Sequence, residues 1–411
     1  MMRLPRALDG LLQPSDWRLI QQAALAVIAG AFIIHYIGLG IVWLRLLHGN
    51  DFGKFYYAAQ QWREGLSLYA ASPATRMPAG EGFQEFLDMN PPHFHLVVLP
   101  LVGLSVETAG LLWMVVNAAA AWLAAVLIFR ELGIRLNRWD VLPIAVGILA
   151  CAATGAIVIT GQFTGLLLLP MVGAWRAARH DRWATSGAWL GLLISVKPFL
   201  ALFGMYLLIA RRWRAFAMAG LVGAAAFLAG LLVFGWSAHR EWIAALRSVE
   251  WPWAAMNASL FGLLSRTFGP SPYYAPILAA PAVITIGWWL AAGVVALITL
   301  WAARRSVDHG FAAVTLGALL ISPLGWVYYI WLAVAPCLSM WWKHRPAILR
   351  LAALGLCVPL IWVTDLQPNP LATVTLGSAY TWGLLALWLG VVSDQYAPRS
   401  VATAPIVRLK M

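Results

Sequence analysis

The sequence predicts an all-α polytopic membrane protein, a bundle of about twelve transmembrane helices, and three observations carry that prediction. Hydrophobic residues make up 62% of the 411 and charged residues only 11%, whereas soluble domains carry about a quarter charged. Mean hydropathy is +0.77, and apolar stretches of roughly 20 residues, the length that crosses a bilayer, recur along nearly the whole chain. The 24 Trp suit two interfacial belts, because amphipathic rings settle at the headgroup level. A soluble enzyme, a disordered chain and a domain hung on one anchor are thereby excluded. The formal charge of +12 does not point to nucleic acid, since Lys and Arg fall in short clusters between apolar segments, where they orient the chain in membrane lipid.

Taken in order, the expected spans lie near residues 19–47, 107–129, 140–160, 163–176, 184–197, 198–210, 215–235, 277–303, 311–322, 326–342, 346–363 and 376–393. Arg3, Arg6 and Arg18 precede the first and no small-residue cleavage site follows it, so it reads as a retained helix with its N-terminus inside. Alternate threading sends the basic clusters at 130–138, 176–182, 211–214, 304–305, 343–350 and 399–410 to that same side. By the positive-inside rule it is cytoplasmic, with both termini. The whole chain, 1–411, reads as a single integral membrane domain. Its non-membrane mass is on the outer face, in a first loop over 48–106 with interfacial helices and a second over 236–276. His93–Leu104 is apolar but too short to span comfortably, and is expected to be re-entrant or to lie along the outer interface. Cys151, Cys337 and Cys357 lie in apolar segments without metal spacing and read as packing residues. No internal repeat is visible.

Asp51 directly follows the first span, in HGNDFGKFYYAAQQWREGLSLY. A half-desolvated carboxylate at the mouth of a bundle can take a proton from a hydroxyl nucleophile; the plainer reading is a helix cap, with Phe55, Tyr56, Ala59, Trp62 and Leu66 forming the apolar face of the helix it starts. The other acids of the loop, Glu64, Glu81, Glu85 and Asp88, read as solvated surface. His93 and His95 form an H-x-H pair with no third ligand nearby, which suits packing or a phosphate contact better than a metal. Lys197 ends an apolar run before Pro198, so it must snorkel, pair or meet an anion such as a phosphate headgroup. In NASLFGLLSRTFG, Arg266 could grip a phosphodiester or simply face water from an interfacial helix, and Asn257-Ala-Ser259 fits a glycosylation sequon. Gly161-Gln162 and Ser322–Tyr329 are tight outer turns whose Gln162, Trp326 and Tyr328 suit a sugar, hydroxyls meeting the amide and the apolar sugar face stacking on rings. As aromatic-belt residues the rings would need no ligand.

The order of these motifs resembles glycosyltransferase family 87. It runs from the Asp after the first helix and FYYAAQQWREGLSLY, through NPPHFHLVVLPL, GQ before a Leu-rich helix, VKP and NASLFGLLSR, to SPLGWVYYIWL, and covers roughly residues 19–345. The strength lies in the order, since no single motif is specific. The resemblance implies a GT-C-type bundle in a bacterial inner membrane with its active site facing outward. It implies transfer of a hexose, most often mannose, from a polyprenyl-phosphate donor to a lipid or glycan acceptor; no cofactor is expected, and no metal is obviously required, since only scattered carboxylates face outward. Carried across, it makes Asp51 the catalytic base and puts Lys197, Asn257 and Arg266 near the donor phosphate. Gln162, Trp326 and Tyr328 would line the sugar or acceptor pocket, with Tyr329, Tyr56 and His93. Two positions depart from the pattern: Asn90 stands where Tyr often precedes Pro-Pro, and Tyr328-Tyr329 where one or two His are common. The reading from another class is a transporter or flippase of a lipid-linked or small polar substrate, which usually carries two repeated halves.

Overall fold

The computed structural model describes residues 14–46, 50–79, 82–247, 251–270, 274–342, 346–358 and 369–394. Helix α1 (Pro14–Leu46) is followed by α2 (Asn50–Arg63), and then by an antiparallel hairpin of β1 (Arg76–Ala79) and β2 (Gly82–Glu85), in register from Arg76↔Glu85 to Ala79↔Gly82. The hairpin is a small exception within an otherwise helical fold: the segment holds Pro78 and ends before Pro91-Pro92, which disfavour helix. Two 3-10 helices, Pro92–Val97 and Leu99–Gly103, lead to α3 (Val106–Leu132). There follow α4 (Arg138–Ala150), α5 (Ala152–Thr160), α6 (Thr164–Arg179), α7 (Trp183–Val196), α8 (Leu202–Ile209), α9 (Trp213–Arg247) and α10 (Leu260–Phe268). The rest is α11 (Pro281–Ala302), α12 (Val307–Ile321), a 3-10 turn over Val327–Ala333, α13 (Val334–Trp341), α14 (Ile348–Leu356), α15 (Pro370–Thr375) and α16 (Ala379–Ser393).

This is a polytopic helical protein. Among the described residues five segments are long and apolar enough to cross a membrane: Asp16–Val42, Val106–Leu132, Trp213–Arg247, Pro281–Ala302 and Pro370–Ser393. A sixth is the pair α4 and α5, bent by 59° at Cys151. Trp183–Val196, Pro198–Ile209, Val307–Ile321 and Val327–Trp341 are apolar but shorter, so length and composition alone do not reach twelve. The expected span 346–363 is helical only to Leu356, and residues 359–368 lie outside the described chain, as do both ends that were expected inside.

The passes run between two ends. At one, Asp51 opens α2, Gln162 precedes α6 and Lys197 follows α7; at the other, α3 ends at Leu132, α6 at Arg179 and α8 before Arg211, while α4 begins at Arg138. That second end gathers the basic clusters and ties them: Glu131 pairs with Arg176 at 3.0 Å and Arg179 at 3.3 Å, and Asp308 accepts from Arg179 at 2.9 Å and Trp175 at 2.7 Å. His93–Leu104 does not cross, because Asn90 just before it meets Lys197 and Leu104 meets Tyr56, both at the Asp51 end.

The core surrounds α12, in which every residue from Asp308 to Leu320 is buried. The outside is bare hydrocarbon: Leu232, Trp122 and Leu297 are 86%, 73% and 72% exposed. Lipid is as apolar as Leu, so these helices gain from close packing rather than from hiding from water. Gly187 and Gly191 of α7 are spaced for that, since a Cβ on them would fall 2.2 Å from the Ala215 carbonyl oxygen and 2.4 Å from that of Ala219 in α9. Beyond a break at Gly235 (φ 75°), α9 turns back over the first loop, where Glu241 accepts from Ser67 and Trp242 donates to the Met89 carbonyl. Cys151 and Cys337 are half-buried, but Cys357 is exposed rather than packed.

Candidate functional site

The turn between α5 and α6 is fixed first. Gly161 takes a left-handed conformation (φ 67°) that a side chain would strain. Two α3 side chains then pin the turn: Trp113 donates to the Gly161 carbonyl at 3.0 Å and Asn117 Nδ2 to that of Gln162 at 2.8 Å. Gly165 lets α6 come this close, because a Cβ there would lie 2.2 Å from the Asn117 carbonyl oxygen. The buried Gln162 side chain is thereby aimed at the start of α2. Its Nε2 donates to Asp51 Oδ2 at 2.6 Å, and its Oε1 is buried without a partner among the described residues.

Asp51 lies in the first turn of α2, where the helix dipole favours a carboxylate. Its other oxygen, Oδ1, accepts from Lys54 Nζ at 3.0 Å, one turn along. Lys54 is buried and its ammonium sits 3.6 Å from the Phe86 ring centroid. The cap reading therefore gives way to one in which the carboxylate is held by two side chains.

Pro198 follows the end of α7 and leaves Lys197 half-buried. Its Nζ donates to Asn90 Oδ1 at 2.7 Å and lies 4.7 Å and 5.3 Å from the ring centroids of Phe163 and Tyr329. Asp51 acts through space on Lys197 and on the buried Tyr328 and Tyr329. Tyr328 in turn packs on Tyr329 at 4.6 Å and stacks with the half-buried Trp326 at 6.3 Å. The structure thus brings together Asp51, Gln162, Lys197, Tyr328 and Tyr329, with Trp326 beside them.

Four other expected site residues have different work. Arg266, expected near the donor phosphate, is fully buried and spends its guanidinium inside the protein: it donates to the Ala254 carbonyl at 2.8 Å and that of Asn257 at 3.2 Å, to Ser378 Oγ at 2.7 Å and to Thr381 Oγ1 at 2.9 Å. It is a clamp between the segment 254–257 and the start of α16. Asn257 is equally enclosed. Its amide donates to the carbonyls of Pro252 and Pro323 and accepts from the Ser259 and Gly325 N–H groups, so it has no donor left for a phosphate and no exposure for a glycan. Tyr56 gives its hydroxyl to the Leu104 carbonyl at 2.7 Å. His93 packs against Gly230 of α9, with His239 and His95 near.

Burial beside His239 pulls the His93 imidazole down to about 4, and burial also lowers His95 against the opposing pull of Asp88. Neither is a cation for phosphate at neutral pH. The unfolded chain takes up protons that these rings resist, so their contribution is full above about 6.5 and is lost as the pH falls toward 4. Thermal unfolding at pH 7 and pH 5 should show lower stability at pH 5, and His93→Phe should narrow the gap.

Reading by residue type missed Lys54, Asn90 and Asp88. Lys54 has a signal, an i,i+3 carboxylate–ammonium pair on one helix. Asp88, expected at the surface, is 4% exposed; its Oδ1 accepts from the backbone N–H and Nδ2 of Asn90 at 2.9 Å and 2.7 Å, and its Oδ2 lies 3.3 Å from His95 Nε2. Glu81 lies outside the described residues.

The profile of glycosyltransferase family 87 matches residues 89–325. The chain belongs to glycosyltransferase family 87. The matched stretch includes Asn90, Gln162 and Lys197 and stops just before Trp326. Over 438 aligned residues the chain is 26% identical to a polyprenol-phosphate-mannose-dependent alpha-(1-2)-phosphatidylinositol mannoside mannosyltransferase of Mycolicibacterium smegmatis, covering 94% of this chain and 92% of that protein. The protein of the same description from Mycobacterium tuberculosis is 26% identical, over 85% and 87% of the two chains. A polyprenol-phosphate-mannose-dependent alpha-(1-2)-phosphatidylinositol pentamannoside mannosyltransferase of Mycolicibacterium smegmatis is 28% identical over 62% of this chain, and the match spans 61% of that protein. No solved structure matches.

Proposed function

We propose that this family 87 protein transfers a mannosyl residue from a polyprenyl-phosphate donor to a hydroxyl of a lipid-linked glycan acceptor, with Asp51 as general base. The observation that carries the reading is the Asp51 carboxylate held by Gln162 and Lys54, with the half-buried Lys197 ammonium against the rings of Phe163 and Tyr329 and with Tyr328 packed on Tyr329. The names of the relatives support the donor and a mannoside acceptor. In the proposed step an acceptor hydroxyl gives its proton to Asp51 and its oxygen attacks the anomeric carbon as the bond to the phosphate oxygen breaks. The departing polyprenyl phosphate keeps that electron pair, and Lys197 stabilises its charge. The unpartnered Gln162 Oε1 is an acceptor for a second sugar hydroxyl. A GT-C-type bundle crossing twelve times, with the basic end cytoplasmic, puts this chemistry on the outer face, in a bacterial inner membrane.

Sealed vesicles of known orientation test the sidedness. A membrane-impermeant mannoside acceptor should be modified only when it faces the Asp51 end, and a donor carrying glucose in place of mannose should turn over more slowly. Modification from the basic end would reverse the topology, and equal use of the two sugars would remove mannose from the proposal.

A further inference from the structure

We propose that Asn90 is the positioning residue for Lys197, with Asp88 behind it as the resting counter-charge, so that the three side chains together aim one ammonium at the donor phosphate. The proposal rests on the reading of Lys197 as the phosphate ligand given above. Its ground is that Lys197 reaches 107 positions back along the chain for its one hydrogen-bond partner among the described residues, Asn90 Oδ1 at 2.7 Å, and otherwise faces the rings of Phe163 and Tyr329. An ammonium has three N–H donors, and one bond to an amide leaves the others for a second acceptor.

Asn90 is built to present that one oxygen. Its Nδ2 donates to Asp88 Oδ1 at 2.7 Å, its backbone N–H donates to the same oxygen at 2.9 Å, and its carbonyl accepts from the Tyr69 hydroxyl at 2.7 Å. A flipped amide would set its NH2 against the Lys197 ammonium and its oxygen against the Asp88 carboxylate, so the orientation is determined from both sides. Asp88, buried and acting electrostatically on Lys197, supplies negative charge where no donor is bound. When a phosphate arrives, Lys197 keeps Asn90 as its anchor and turns its remaining N–H groups to the anion.

Binding of sugar-free polyprenyl phosphate, read by quenching of tryptophan fluorescence in the purified full chain, tests the proposal without depending on which sugar is transferred. Asn90→Leu should weaken binding about tenfold, the size expected for losing a charge-assisted hydrogen bond. In a Lys197→Met background it should add nothing further, because Asn90 acts through Lys197. Asp88→Asn retains the acceptor for Asn90 and removes an opposing negative charge, so affinity should hold or rise; damage to the fold would lower it. Wild-type affinity in Asn90→Leu, losses that multiply in the double variant, or weaker binding by Asp88→Asn would each overturn the positioning role while leaving Lys197 in place. A wild-type chain that does not bind polyprenyl phosphate would remove Lys197 as phosphate ligand, and this inference with it.

Discussion

Replacing Asp51 by Asn is expected to slow mannosyl transfer by about 10²–10⁴-fold, the usual contribution of a positioned general base, without unfolding the protein. The amide is nearly isosteric, and its oxygen still accepts from Lys54 or Gln162. What disappears is the charge and with it the ability to take a proton from the acceptor hydroxyl. Donor affinity should change little, because the phosphate is assigned to Lys197, whose hydrogen bond is to Asn90 and not to Asp51. Single-turnover rates with pre-bound donor separate the two effects. A variant that transfers at the wild-type rate would reduce Asp51 to the ion-pair partner of Lys54.

Arg266→Met is expected to act on stability. The guanidinium is wholly enclosed and joins the Ala254 and Asn257 carbonyls to the hydroxyls of Ser378 and Thr381. Removing it leaves four buried acceptors without a donor, and breaking a buried charged network of this kind costs on the order of 3–5 kcal/mol. Lys would not substitute, having neither the planar fork nor the reach to meet both sides. Thermal unfolding in detergent should therefore fall sharply for Arg266→Met and nearly as far for Arg266→Lys. Unchanged unfolding with a loss of polyprenyl phosphate binding would restore the phosphate role that the sequence suggested.

That Asp51, Gln162 and Lys197 need partners was legible for one physical reason: a charged or amide side chain beside a long apolar run must have one. The same signal does not say what the partners of Arg266 and Asn257 are. Their partners are main-chain carbonyls and small hydroxyls, which leave no trace in residue type, so a clamp and a ligand look alike until the loop is seen folded over them. Asp88 was misread. An acid in a loop is ordinarily solvated, and only the return of α9 past Gly235, which lays Trp242 over Met89, closes that part of the loop. The helices were legible from hydropathy, while the hairpin at Arg76–Glu85 was not, since its strands are four residues each and carry no long apolar period. Lys54 could have been found from its spacing to Asp51; Asn90 could not, because its partner is 107 positions away.

The most direct test of the central claim is to reconstitute the purified chain with polyprenyl-phosphate-mannose labelled in the sugar and a phosphatidylinositol mannoside acceptor, and to follow the label. The account predicts that it moves to the acceptor as free polyprenyl phosphate accumulates in equal amount, and that both stop in Asp51→Asn. Intact donor that crosses the bilayer with its label still attached, and no mannosylated lipid formed, would contradict it and make the protein a carrier of lipid-linked sugar.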